Sequence, residues 1–247
     1  MHQTNTLFLD NMRHKFFVSL ILALSMTAVV NAQSSVVVVD PRVGVSASDA
    51  GRQATDKVVI ERDAIPKLRT KYASDACTVE PEFAGEAKGS FTRVGAKQTV
   101  AFYQVCQTGN GLGVVAIVIS ENGEVVGIFG SDSGWTFDVA ALRDINRNGL
   151  DEFTLSYGGG MHQGQGGVGV DVMECASGMP RGLGWFKAEE FMDTEAVNVW
   201  LVTAKPAKTP RFYKQKYTFA GENKWRRVGA NTTFRLAKTS AKFEVVK

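Results

Sequence analysis

Two apolar runs joined by Glu121-Asn122-Gly123-Glu124 constrain this chain more than any other feature. Asn-Gly accepts the positive φ angles that a two-residue turn between antiparallel strands requires, so a tight hairpin is expected there. One arm is Gly113–Ser120, which holds the unbroken run Val114 to Ile119, and the other is Val125–Phe129. The pattern then repeats. Gln98–Gln107, Gly134–Leu142, Glu152–Tyr157, Gly167–Met173, Ala196–Thr203, Arg211–Phe219 and Phe243–Val246 are all short, with turn residues between them. In Gly167–Met173 the alternation puts Val168, Val170 and Val172 on one face and Gly169, Asp171 and Met173 on the other. The fold class expected is mostly β, an antiparallel sandwich or propeller-like domain. One short N-terminal helix is expected at Ala64–Tyr72, where Pro66 suits a first turn and Leu68 and Tyr72 share a face.

The N-terminus is of another kind. Arg13, His14 and Lys15 precede an apolar run from Phe16 to Val30, broken only by Ser19, Ser25 and Thr27, and Val30-Asn31-Ala32 suits a cleavage site. Residues 1–32 read as a secretory signal peptide, with Met12 an alternative start. The competing reading is an uncleaved anchor, but a bilayer span needs about 20 apolar residues. Export, to the periplasm or beyond the cell, is therefore expected. Residues 33–57, rich in Ser, Ala, Asp and Gln, read as a flexible lead-in, and 58–247 as a single β-rich domain.

Cleavage after Ala32 would leave 215 of the 247 residues, with 26 basic and 24 acidic side chains. Near-neutrality hides an asymmetry. From Ala204 onward 12 Lys and Arg face only Glu222 and Glu244, so an acidic body carries a basic end. Of Cys77, Cys106 and Cys175, an oxidising compartment would pair two. Cys77 with Cys106 is preferred because they flank neighbouring strands, though spacing leaves the other pairings open.

The stretch most able to carry chemistry is Asp144-Ile145-Asn146-Arg147-Asn148-Gly149-Leu150-Asp151-Glu152. Oxygen-bearing side chains stand at its first, third, fifth and ninth positions, with glycine at the sixth. Calcium takes six to eight oxygens, and a loop curling round the ion turns alternate residues inward. Asp144, Asn146, Asn148 and Glu152 are thus candidate Ca²⁺ ligands, with the Leu150 carbonyl a fifth and Arg147 turned outward. The twelfth position is Leu155, where an EF-hand needs a bidentate Glu, and a strand follows in place of a helix. The arrangement resembles the calcium loops of FG-GAP and VCBS-type repeats over about Val125–Gly160, although only one copy is present and the Phe-Gly/Gly-Ala-Pro signature is absent. The resemblance implies a structural calcium site and no activity. An Asn-Gly turn that holds no metal is the alternative.

Other candidates are weaker. Gly158–Gly167 surrounds His162, the one histidine beyond residue 32, and reads as a flexible hairpin because it lacks the ending of a phosphate-binding loop. Ser131, Ser133 and Ser156 lie near it in sequence, without a nucleophile-elbow pattern. Trp135, Trp185, Trp200 and Trp225 suit a core as well as a cleft. Lys224-Trp225-Arg226-Arg227 combines charge with a stacking surface for an anionic polymer or cell-surface component, or protects an edge strand. Asn231-Thr232-Thr233 has the form of a glycosylation acceptor. The functional expectation is an exported binding or structural protein with one calcium loop. A secreted hydrolase centred near His162 and a module held to anionic envelope polymers by its basic end are the alternatives.

Overall fold

The computed structural model describes residues 34–43, 53–109, 112–133, 135–162, 165–193, 195–222, 224–239 and 241–247. The signal-peptide segment and most of the lead-in lie outside these residues. Among them, no helix is long and apolar enough to cross a membrane, which says nothing of strands.

The hairpin forms as the Asn-Gly pair demands. β4 (Leu112–Glu121) and β5 (Glu124–Ser133) pair antiparallel, and Asn122 and Gly123 take φ angles of 52° and 77°. With β2 (Glu82–Gly89), β3 (Gln98–Gly109) and β13 (Glu244–Val245) they make a five-stranded antiparallel sheet in the order β13-β5-β4-β3-β2. The remaining strands meander through a second antiparallel sheet. Its path runs from β6 (Trp135–Leu142) through β7 (Glu152–His162), β8 (Gln165–Glu174), β9 (Arg181–Met192), β10 (Glu195–Lys205) and β11 (Arg211–Phe219) to β12 (Trp225–Phe234). An eighth strand, β1 (Val36–Val39), pairs with β10. The fold is therefore mostly β, two antiparallel sheets, the larger one curled into a half-barrel.

Side-chain alternation assigns each face to a core. Phe102, Val115, Ile117, Ile119 and Phe129 of the smaller sheet meet Val139, Phe153, Leu155 and Met173 of the larger, and all of them are buried. The smaller sheet's other face, with Ala101, Val105, Ala116 and Val118, is covered by two helices, α1 (Lys57–Asp63) and α2 (Ile65–Tyr72). Inside the curl of the larger sheet, Val168, Val170 and Val172 of β8 pack with Phe186, Val202 and Phe212, and Val38 of β1 closes this third cluster. The alternation read in β8 places its valines together, as expected, with Met173 in the inter-sheet layer.

Several expectations need correction. There are two helices where one was expected. Pro66 cannot continue a helix, since it lacks an N–H and its ring crowds the preceding turn. The chain therefore ends α1 at Ala64, whose N–H donates to the Ile60 carbonyl, and restarts α2 from the same residue. The first helix is hidden in sequence because Val58, Val59 and Ile60 favour strands. Val36–Val39, placed in a flexible lead-in, is a strand with Val38 buried. Gly158–Gly167 forms a hairpin, as expected, but most of it belongs to the two strands. β7 runs on through His162 and β8 begins at Gln165, with residues 163–164 outside the described residues. β2 and β9 were not expected, and β12 only as the edge strand that Lys224–Arg227 would protect. Among the described residues the strands make no four-stranded blades, so the propeller form is not seen. Cys77 and Cys106 are joined by a disulfide, and Cys175 is a buried free thiol.

Candidate functional site

The loop between β6 and β7, Arg143–Asp151, is built by its own side chains. Asp144 accepts hydrogen bonds from the N–H groups of Asn148 at 2.9 Å and Gly149 at 3.0 Å, one on each carboxylate oxygen. Asn146 Oδ1 accepts from the Asn148 N–H at 3.0 Å, and Asn148 Oδ1 accepts from the Leu150 N–H at 2.8 Å. The first, third and fifth positions thus turn inward together. Two residues take left-handed backbone, Gly149 with φ 87° as expected and Arg147 with φ 59°, which was not.

Two anchors hold the loop. Ser90 donates its N–H to Asp151 Oδ2 at 2.8 Å, and its carbonyl accepts the Asp151 N–H at 3.0 Å. The Ile145 carbonyl accepts the Ala207 N–H at 3.0 Å, which ties the loop to the β10–β11 connection. Ile145 itself is wholly buried in the curled-sheet core.

Glu152, at the ninth position, is 0 % exposed. One carboxylate oxygen accepts the Ile145 N–H at 2.7 Å, and the other has no partner among the described residues. Burial pushes its pKa up to about 7. The negative charges of Asp144 and Glu174 add to the rise and the Ile145 N–H opposes it. Glu174, also buried, accepts a hydrogen bond from the Asn146 amide at 2.9 Å and pairs with Arg181. Four oxygen-bearing side chains and the Leu150 backbone are therefore together in one loop. Among the described residues no three His, Cys, Asp or Glu side chains converge as a metal-ligand set, so a cation here would depend on two carboxylates and two asparagine amides.

The same loop, through Asn146, Arg147 and Asn148, forms one wall of an open cleft of about 1080 Å³. Arg147 lines it together with Arg181, Lys208, Arg211 and Arg235. The sequence showed the basic end but not this gathering, because the five cations come from four separate stretches of chain and only the curl of the sheet unites them.

The remaining sequence candidates fall elsewhere. Lys224 is exposed and paired with Glu222 at 2.8 Å, Trp225 meets Phe219 edge-on at 5.5 Å, and Arg227 donates to Gln215 Oε1 at 2.8 Å. Together they brace the β11–β12 hairpin. His162 ends β7, and its side chain lies outside the described residues. Ser131 is buried with its hydroxyl unpartnered among the described residues. The Cys175 thiol is pushed up to about 12 by burial and by Glu174, the opposite of what a nucleophile needs. Comparison of the chain with family models, with curated proteins and with solved structures returns no match, so the site is argued from its geometry.

Proposed function

We propose that this is an exported β-sheet protein that works by binding or as a structural part, and that its Asp144–Glu152 loop holds one Ca²⁺. The observation that carries the calcium assignment is the Glu152 carboxylate. It is fully buried, it lies among two other carboxylates, and one of its oxygens has no donor among the described residues. A buried anionic oxygen without a partner is costly, and a cation at the loop centre would satisfy it. The loop fits such an ion: Asp144, Asn146, Asn148 and Glu152 supply side-chain oxygens and Leu150 a carbonyl, in the order of the FG-GAP and VCBS-type loops it resembles. With only two charged ligands, affinity belongs to the weak extracellular range, about 10⁻⁴–10⁻³ M. Export is supported by the apolar segment after Lys15 and by the Cys77–Cys106 disulfide, which needs an oxidising compartment. The ion's role is to hold the turn before β7, where it fixes the loop's two anchors.

The test is thermal melting in 10 mM calcium and in excess chelator, with Asp144→Ala alongside. Binding at that affinity adds about 1–3 kcal/mol, hence about 2–10 °C in Tm for a chain of this size. Asp144→Ala melts lower in both buffers, having lost two loop hydrogen bonds, and loses the calcium-dependent increment. Equal melting of the wild type with and without chelator removes calcium from the account.

A further inference from the structure

The cleft at the mouth of the curled sheet combines two features. Its rim is cationic. Arg147, Arg181, Lys208, Arg211 and Arg235 line it against a single carboxylate, Glu174, and that carboxylate is committed to Arg181. None of Arg147, Lys208, Arg211 and Arg235 has an ion-pair partner among the described residues, and all four side chains are exposed. Its floor is apolar. Leu183, Phe212, Phe234 and Leu236 line the same cavity, and Phe212 and Phe234 continue into the ring cluster with Phe186 inside the curl.

Four uncompensated cations around one opening repel each other, and an anion relieves that repulsion. The choice of anion follows from the floor and from the layout. An anionic polysaccharide brings no apolar surface to leucine and phenylalanine, and proteins that track a polyanion's backbone lay their charges along a groove that follows the chain. Here Arg147 comes from the β6–β7 loop, Arg181 from the start of β9, Lys208 from the β10–β11 connection, Arg211 from the start of β11, and Arg235 from just past β12. They converge on one cavity. A single anionic head group with an apolar tail meets both requirements, with arginines on its oxygens and the tail over the phenylalanines.

We infer that the mouth of the curled sheet is a binding site for an acidic amphiphile, a carboxylate or phosphate head on an alkyl or acyl chain. The inference extends the binding reading of the protein; Asn146 and Asn148 of the calcium loop line the same cleft, so the test is made without the ion.

The experiment is calorimetric titration of the full chain with decanoate, dodecanoate and dodecyl phosphate, each below its micellar concentration. Chelator is present throughout, so that calcium salts do not form and a failure of the calcium assignment leaves the result untouched. Dodecanol and a polygalacturonate fragment are the comparison ligands. Saturable 1:1 binding is expected, tighter for dodecanoate than for decanoate. Arg211→Glu and Arg235→Glu each weaken it about tenfold or more. Arg226→Gln, on the β11–β12 hairpin away from the cleft lining, leaves it unchanged. Leu236→Glu removes the dependence on chain length. The site is overturned if the acids fail to bind, if dodecanol binds as well as dodecanoate, or if the Arg variants bind like the wild type. It is also overturned if polygalacturonate binds more tightly with the same Arg dependence, which would make the cleft a polymer site.

Discussion

Gly149 and Asp171 show how single positions carry consequences the whole fold must absorb. Gly149 holds φ 87°, a region that costs an L-residue roughly 1–2 kcal/mol, and a Cβ there would also press on Val94 Cγ2 at 3.1 Å. Gly149→Ala is therefore expected to lower unfolding free energy by about 1–2 kcal/mol in chelator, measured by urea denaturation, and to weaken any calcium-dependent gain further. Wild-type stability for that variant would mean that the loop relaxes freely. Asp171 is buried in β8, and burial raises its pKa while the Thr239 and Tyr157 hydroxyls hold it down. A carboxyl raised above its unfolded value binds more protons in the native state, so the stability it confers is complete at low pH and drains as pH climbs from about 4. Asp171→Asn carries no such loss. Its stability relative to the wild type should grow as pH rises above about 4 in denaturant titrations, and a constant gap would show that Asp171 ionises as readily folded as unfolded. Glu189 is raised by burial too, so a wild-type slope persists after the substitution.

At the scale of elements, the strands visible in sequence were those whose side chains alternate or run apolar between turn signals. β3, β4, β5, β8 and β11 are of this kind, and the Asn122-Gly123 turn has the geometry its residues dictate. β2, Glu-Phe-Ala-Gly-Glu-Ala-Lys-Gly, was hidden because it is charged and glycine-containing. Its Gly85 leaves room for Asp138 and the β6 backbone, against which a Cβ would collide. β12 was hidden but for its charges, because nearly all of it is exposed and it has no apolar face to betray it. The candidate calcium loop was legible, since its ligands are contiguous and their spacing is the signal. The basic cleft was not, since its residues are far apart in the chain. The disulfide was half legible. It sits where the turn after α2 meets β3, so it staples the helix pair to the smaller sheet. Closing a loop with a sequence separation of 29 confers about 2–4 kcal/mol. Replacing Cys77 and Cys106 together by Ser should remove about that much in denaturant unfolding, and reductant should do the same to the wild type but not to the variant.

Across residues 35–247 as a whole, the two sheets differ in how they are covered. The five-stranded sheet has helices on one face and the larger sheet on the other, so β3 and β4 are buried from both sides. The eight-stranded sheet shares one face with it and closes the other largely upon itself, ending in a β12 that faces water along most of its length. The acidic body and basic end noted in the sequence follow this division only loosely, because Arg147 and Arg181 of the body join Lys208, Arg211 and Arg235 of the end around one opening. The unequal covering of the sheets has a kinetic counterpart. Opening that exposes β3 and β4 must undo both cores at once, whereas β12 can peel from β11 alone. In deuterated water the amides of Ala101, Phe102, Ala116 and Ile117 should be the last to exchange, and those of Arg226, Arg227 and Val228 among the first. The protein would then wear a slow-exchanging heart beside a rim that samples solvent continually, and a ligand entering at that rim could bind without disturbing the heart.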